Sequence, residues 1–328
     1  MRAATLRAHP GATRSHELAE SLRRSLDLAL LSSLAFIALS VSEAAAPRAA
    51  RAGAWLRAPG ETYAKAALYV TRGSDQLGAN GDIEPLFASP TIESGSYREI
   101  GGSFYLEHGV SRGLTLFTDA VLKTAELETN DRMAASDAGD VSFGLPAIRV
   151  GGRIPLARGL ARHGVVTALE PSVTFPLRAV GRSSSASPEI GSPSAAFALS
   201  ASVGASIPFL RGYAQASVGY RVREGNAPNE RLADFELGWA LPGPFLARVR
   251  YDSVSAVENP SGGRSVAGMP VPDTGNQDVR RVAPTIAVGR GGGGELSLTW
   301  RRVVAGRSTL RSGEWEFAYS FLGAFSPR

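Results

Sequence analysis

Residues 212–223 read Gly-Tyr-Ala-Gln-Ala-Ser-Val-Gly-Tyr-Arg-Val-Arg. Ala214, Ala216, Val218, Tyr220 and Val222 hold the even positions, and Gln215, Ser217, Gly219, Arg221 and Arg223 the odd ones. A period of two marks a β-strand with one apolar and one polar face; a helix would stack Arg221 over Ala214 and mix them. A Gly-Asn-Ala-Pro-Asn loop at 225–229 follows. Ala233, Phe235, Leu237, Trp239 and Leu241 then alternate with Asp234, Glu236, Gly238 and Ala240. Two such runs joined by a turn predict a hairpin. With the faces matched, Arg221 and Arg223 are expected near Asp234 and Glu236, where opposite charges attract across strands.

The same period recurs outward from this hairpin. Leu114, Leu116, Ala120 and Leu122 alternate with Thr115, Asp119 and Lys123, with Phe117 and Val121 interrupting the polar face. Phe197, Leu199, Ala201 and Val203 alternate with serines and Gly204, and Phe245, Ala247, Val249 and Tyr251 with Arg248, Arg250 and Asp252. Trp315, Phe317, Tyr319, Phe321 and Phe325 share one face of the last run, opposite Glu316, Ala318 and Ser320. The pattern predicts strands at 62–72, 97–108, 114–125, 139–150, 164–177, 195–207, 212–223, 231–242, 245–256, 279–289, 294–304 and 313–325. The count is twelve, an even number, and each is long enough for the roughly 9–11 tilted residues that cross a bilayer.

Connectors after odd strands are long or moderate, and those after even strands are mostly short, the asymmetry of outer-membrane barrels. The stretch 151–164 is the exception, longer than a short turn. A soluble sandwich also alternates, but its strands run to about 5–6 residues and nothing gathers its long loops at one end. The fold class is therefore all-β: a transmembrane antiparallel up-and-down β-barrel.

Composition agrees and excludes. The chain has 328 residues, 44% of them hydrophobic, with 37 Gly and no Cys. Disulfides, thiolate metal sites and Cys nucleophiles are absent. Gly and Ser interleaved with charge on the polar face suit a crowded inner wall. The net charge of +5 is spread among acids instead of forming the basic patch that nucleic-acid binding shows.

Arg23-Arg24, an apolar run over 28–41 and Ala44-Ala45-Ala46 have the order of a secretory signal peptide. This predicts a cleaved signal at 1–46, a short periplasmic N-terminal segment at 47–60 and an outer-membrane barrel at 61–328. The apolar run falls short of the roughly 18 residues that a spanning helix wants.

Short motifs carry a family resemblance. Gly60-Glu61-Thr62-Tyr63, the stretch Gly109-Val110-Ser111-Arg112-Gly113-Leu114-Thr115-Leu116, Gly139-Asp140-Val141 with Gly144-Leu145, and Gly306-Arg307-Ser308-Thr309 resemble strand entries and turns of one bacterial outer-membrane family. That family is typified by the meta-pathway phenol-degradation barrels. Ser111, Gly113 and Ser308 depart from its pattern. The resemblance implies a barrel that transports small molecules and carries over no catalytic or binding residue. The aromatic last strand likewise resembles the C-terminal assembly signal of such barrels, though Ser-Pro-Arg follows Phe325.

Among candidate sites, Gly291–Gly294 reads as a tight turn, because a strand and no helix or Lys follows it. Ser183–Ser187 reads as a solvated outer loop. His108 is a candidate general base for an outer-membrane enzyme, but no nucleophile signature accompanies it. The functional constellation is the inward charge: Asp119, Lys123, Arg221, Arg223, Asp234, Glu236, Arg248, Arg250, Asp252 and Arg281. Such charges line a pore that selects solutes, or they cross-link a filled wall. Three readings follow: a channel for small molecules through a narrow charged lumen, a plugged barrel for structure or surface contact, and an outer-membrane enzyme. The first leads, with no enzyme activity and no cofactor. Its expected partners are the lipid bilayer and lipopolysaccharide, the barrel-assembly machinery and a small-molecule solute, in the outer membrane of a Gram-negative cell.

Overall fold

The computed structural model describes residues 55–86, 92–131, 140–157, 164–177, 179–182, 194–225, 227–257, 264–266, 269–271, 278–290 and 293–324. The signal segment, the serine loop at 183–187, Gly291, Gly292 and Phe325 lie outside them. Twelve barrel strands occupy the described residues. They are β1 (Glu61–Leu77), β2 (Ile92–Ser111), β3 (Leu114–Asp131), β4 (Asp140–Gly144 and Ala147–Pro155), β5 (Val165–Pro176, continued by Ala179–Arg182) and β6 (Ala196–Ile207). The rest are β7 (Gly212–Arg223), β8 (Glu230–Ala240), β9 (Phe245–Ala256), β10 (Asp278–Arg290), β11 (Gly294–Arg307) and β12 (Thr309–Ala324).

Each strand pairs antiparallel with its sequence neighbour, and β12 returns to β1 from Glu61↔Ala324 to Leu77↔Thr309. Closure removes the edges that an open sheet would leave unpaired, which lipid cannot satisfy. Outside the barrel ladder, Ile83–Pro85 adds to the end of β1, and Arg264–Val266 pairs with Met269–Val271.

The alternation assigns the two faces. Val218, Trp315, Phe197 and Phe104 are 65%, 55%, 49% and 47% exposed, and similar residues surround the wall. Soluble monomers rarely expose apolar patches beyond a few hundred Å², whereas lipid solvates such a belt. Trp300 and Trp315 lie opposite each other, 6.2 Å between centroids, a pair of the kind that girdles barrels at the interface. The molecule is an outer-membrane barrel, and the cell outer membrane is its location. No helix among the described residues is long and apolar enough to cross a membrane; the strands cross instead.

Strand bounds differ from the sequence reading at several places: β1 runs on to Leu77, β2 begins at Ile92 and β3 runs on to Asp131, each five or six residues past its expected bound, and two connectors shrink. The stretch expected to be a connector from Gly151 is strand as far as Pro155. Lys123 pairs with Gly144 but Ala120 pairs with Ile148, so three residues of β4 face two of β3. This bulge at Leu145-Pro146 shifts the inward positions of β4 from even to odd numbers, so no single alternation runs through to its end at Pro155. Between β11 and β12 the expected moderate connector shrinks to Ser308, whose φ of 50° makes the reversal.

Candidate functional site: the barrel lumen

Register places all ten candidate charges on the polar, inward face. Asp119 and Lys123 lie on β3, Arg221 and Arg223 on β7, Asp234 and Glu236 on β8, Arg248, Arg250 and Asp252 on β9, and Arg281 on β10. Phe117 and Val121, which interrupted the polar pattern of β3, share that inward face. The Phe117 ring lies over Gly151 of β4, where a Cβ would overlap it and would also come within 2.8 Å of the Ser172 Cβ. Aromatic rings seated on glycines are one reason the inner wall is rich in Gly.

The pairing departs from expectation in one respect. Arg221 sits across from Glu230, not from Asp234 or Glu236, because β8 begins directly after the loop and register sets Ser217 against Asp234. Glu230 accepts from both Arg221 at 2.7 Å and Arg223 at 3.0 Å. Asp234 pairs with Arg250, and Glu236 accepts the Tyr213 hydroxyl. Lys123 meets Glu99 at 2.8 Å, Arg248 meets Glu295 at 2.6 Å, and Arg281 meets Asp252 at 2.8 Å. Asp119 accepts from Arg149 at 3.1 Å.

Several of these partners lay outside the sequence reading of the lumen. Glu99 and Glu107 could have been found by counting in twos back from the β2 turn. Glu295 and Glu314 lie on the inward face of β11 and β12 by the same count. Arg149 and Arg153 follow the bulge, which puts them out of step with the earlier part of their strand.

At the periplasmic end the chain itself enters the barrel. The segment expected to lie in the periplasm is described from Trp55, and Trp55 and Arg57 are 8% and 4% exposed. The Arg57 guanidinium pairs with Glu107 and stacks 4.8 Å over the Tyr63 ring, while its backbone N–H donates to Thr115 Oγ1 at 2.9 Å. Arg153 donates to the Trp55 carbonyl at 3.2 Å and to Glu107 at 3.1 Å, and Glu170 takes its other Nη at 3.1 Å. Trp55 meets Tyr213 of β7 edge to face at 5.7 Å. The short strap thus reaches from β2, β3 and β4 to β7, three to five strands away around a wall of twelve. The bond from the Gly60 N–H to the Gly109 carbonyl, at 2.8 Å, fixes where it turns in.

The outer half differs. A cavity of about 370 Å³ lies against the inner wall, lined by residues of β3 through β8. Asp119, Arg149, Arg221, Arg223 and Glu230 supply its charge, and Val121, Pro146, Ala147 and Ala196 supply apolar surface. His108, the candidate base, meets the Thr62 hydroxyl at 2.8 Å, away from these charges. Among the described residues no group of three or more His, Cys, Asp and Glu is placed to hold a metal.

No family model matches the chain, and no curated protein matches it by sequence. Solved structures do. The COG4313 outer membrane channel from Pseudomonas putida F1 superposes at a TM-score of 0.58 with 10% identity, covering 83% of this chain and 99% of that one. The translocator domain of autotransporter NalP from Neisseria meningitidis gives 0.44 with 11% identity, over 95% and 97% of the two chains. The TodX monoaromatic hydrocarbon channel, in a deletion mutant, gives 0.43 with 10% identity, over 82% and 91%. At such identity the first match is a likeness of fold: this chain has the architecture of an outer-membrane β-barrel.

Proposed function

We propose that this protein gives small molecules passive or facilitated passage across the outer membrane through a narrow charged lumen. One observation carries the reading: the inner wall holds charges that water still reaches. The Arg250 and Arg149 side chains are 48% and 40% exposed although both point away from the outer surface. Eight-stranded barrels are filled by their side chains and sixteen-stranded ones are open; a twelve-stranded wall with wetted charges fits a narrow passage. The motif resemblance to the phenol-degradation transporters supports the same reading. In this reading lipid and lipopolysaccharide surround the apolar belt, the aromatic last strand is the feature that the barrel-assembly machinery reads, and the solute is a small molecule.

The strap at Trp55–Arg57 favours a second reading, a barrel plugged at its periplasmic end that serves contact through its outer loops. Planar-bilayer recording separates the two. The channel reading expects discrete conductance steps from the purified barrel, and a silent bilayer at every voltage would end it. Among the described residues no observation favours the enzyme reading over these two.

A further inference from the structure

The lipid-facing surface carries a basic row that the lumen does not explain. Register aligns Arg302 of β11, Gly313 of β12, Arg72 of β1 and Arg98 of β2 across four neighbouring strands. All three arginines are exposed. They share the outward face with Trp300, Trp315, Val70 and Ile100, which form the next row toward the bilayer centre. Charge on this face is costly at mid-bilayer and tolerated at the interface, so the row, near the outer end of β12, marks the headgroup level of the outer leaflet. Arg72 and Arg98 lie directly opposite each other, and like charges so placed cost stability unless an anion joins them. Glu126 of β3 continues the row beyond Arg98, and farther out Asp75 pairs with Arg311 at 3.5 Å. The positive part of the row is therefore centred on Arg72 and Gly313. Gly313 opens a gap between Arg302 and Arg72, whose backbones stand roughly 10 Å apart, two strand spacings. Neither backbone nor packing requires a glycine there. Its φ is outside the left-handed region, and among the described residues the nearest heavy atom to a Cβ at Gly313 would be Trp300 Nε1, at 3.8 Å. The Arg302 guanidinium carbon lies 5.9 Å from the Trp300 ring centroid, which holds it over the aromatic pair.

We propose that the gap at Gly313, flanked by Arg302 and Arg72, seats a phosphate group of lipid A, the membrane-embedded part of lipopolysaccharide. Guanidinium groups on two sides offer forked donors to phosphate oxygens, and the indole N–H of Trp300 is a further donor at the edge of the gap. Phosphate between Arg72 and Arg98 also relieves their repulsion. A lipid fits better than a free anion because the seat faces the bilayer, with the Trp300, Trp315, Val70 and Ile100 row placed to meet acyl chains beneath it. The inference deepens the reading that lipopolysaccharide surrounds the apolar belt and rests on it for the identity of the lipid, but it requires no conduction.

Titration of the detergent-solubilised barrel with diphosphoryl lipid A in mixed micelles, followed by microscale thermophoresis, tests it. Phosphatidylglycerol is the alternative anionic lipid and inorganic phosphate the free anion. Diphosphoryl lipid A should bind more tightly than phosphatidylglycerol, and inorganic phosphate should not displace it. Arg72→Gln and Arg302→Gln, each checked for the gel shift of a folded barrel, should weaken lipid A on the order of tenfold, the size of a lost charge-assisted hydrogen bond. Gly313→Val alters no charge and suits a strand, yet it fills the gap and should weaken lipid A by a similar factor. Arg231→Gln removes an equally exposed outward charge from β8, four strands from β12, and should leave the affinity unchanged. Affinity unmoved in both arginine variants of the row, or in Gly313→Val, would overturn the proposal. An equal loss in Arg231→Gln would do the same, as would phosphatidylglycerol binding as tightly as lipid A or displacement by phosphate. Lipid A held at this row by a barrel that passes no current upholds the seat and removes the channel; conduction with lipid A affinity unmoved by the substitutions does the reverse.

Discussion

The two ends of the lumen are built from the same groups and behave differently. At the periplasmic end, the Arg57, Arg153 and Glu107 side chains are 3%, 4% and 1% exposed and locked to one another across strands. In the outer half, Arg149 and Arg221 are 40% and 29% exposed and face a cavity. Guanidinium and carboxylate in one case hold a segment in place and in the other stay paired within reach of water. What separates them is Trp55 and Arg57, which fill one end and are absent from the other. Ion pairing alone thus does not tell a filled wall from a passage; the exposure of the paired groups does.

The deepest test of the closed end is Glu107→Gln. Glu107 is the carboxylate of both Arg57 and Arg153 and accepts the Tyr105 hydroxyl at 2.6 Å. Without its charge Arg57 is left buried and unbalanced, a loss on the order of 3–5 kcal/mol. The unfolding midpoint of the barrel in urea, followed by its gel shift, should drop accordingly. An unchanged midpoint would mean that the strap and its network contribute nothing to stability.

Trp55→Ala loses the edge-to-face contact, worth about 0.5–1.5 kcal/mol, together with the burial of the ring, and should widen the passage. The expected readout is higher single-channel conductance. Gly109→Ala reaches the same end without touching a charge, since its Cβ would come within 2.8 Å of the Ala58 carbonyl carbon. If neither variant raises conductance, the strap does not limit flow and the contrast between the ends is one of packing alone.

Between the ends, Arg248 and Arg250 offer a finer comparison. Arg248 is tied to Glu295 near the strap, and Arg250 is paired with Asp234 at mid-lumen, where water reaches it. Changing both to Ala should move the reversal potential in a salt gradient toward cation preference, because two positive charges leave a wall whose acids remain. A reversal potential equal to that of the unaltered barrel would refute their part in selectivity.

How much of this was legible in the sequence follows from the period of two. Where alternation is clean, as in β6 to β9, strand bounds and inward residues can be read directly; even Phe117 and Val121, which broke the pattern of β3, point inward because a barrel interior needs filling. Where a bulge shifts the count, as at Leu145-Pro146, Arg149 and Arg153 vanish from view although both are central. The partner of Arg221 was misplaced because register depends on the loop that precedes β8, which periodicity does not measure. Trp55 and Arg57 left no signal, since a single pass of chain through a lumen has no period.

The smallest effect is expected at the outer rim, where Arg307 meets Asp278 with the Arg307 side chain 49% exposed. Water competes for such a pair and two long side chains lose freedom in forming it, so its net worth is under about 1 kcal/mol. Asp278 has a second task, accepting the Ala256 backbone N–H at 2.9 Å, which ties the end of β9 to β10. Arg307→Ala should therefore barely move the unfolding midpoint, whereas Asp278→Ala should move it more, because a backbone donor loses its acceptor as well. Equal, small shifts would show that the rim tolerates loss of either group. A large shift for Arg307→Ala would place the rim with the buried network of the periplasmic end, and exposure would no longer distinguish the pairs that hold the barrel from those that merely decorate it.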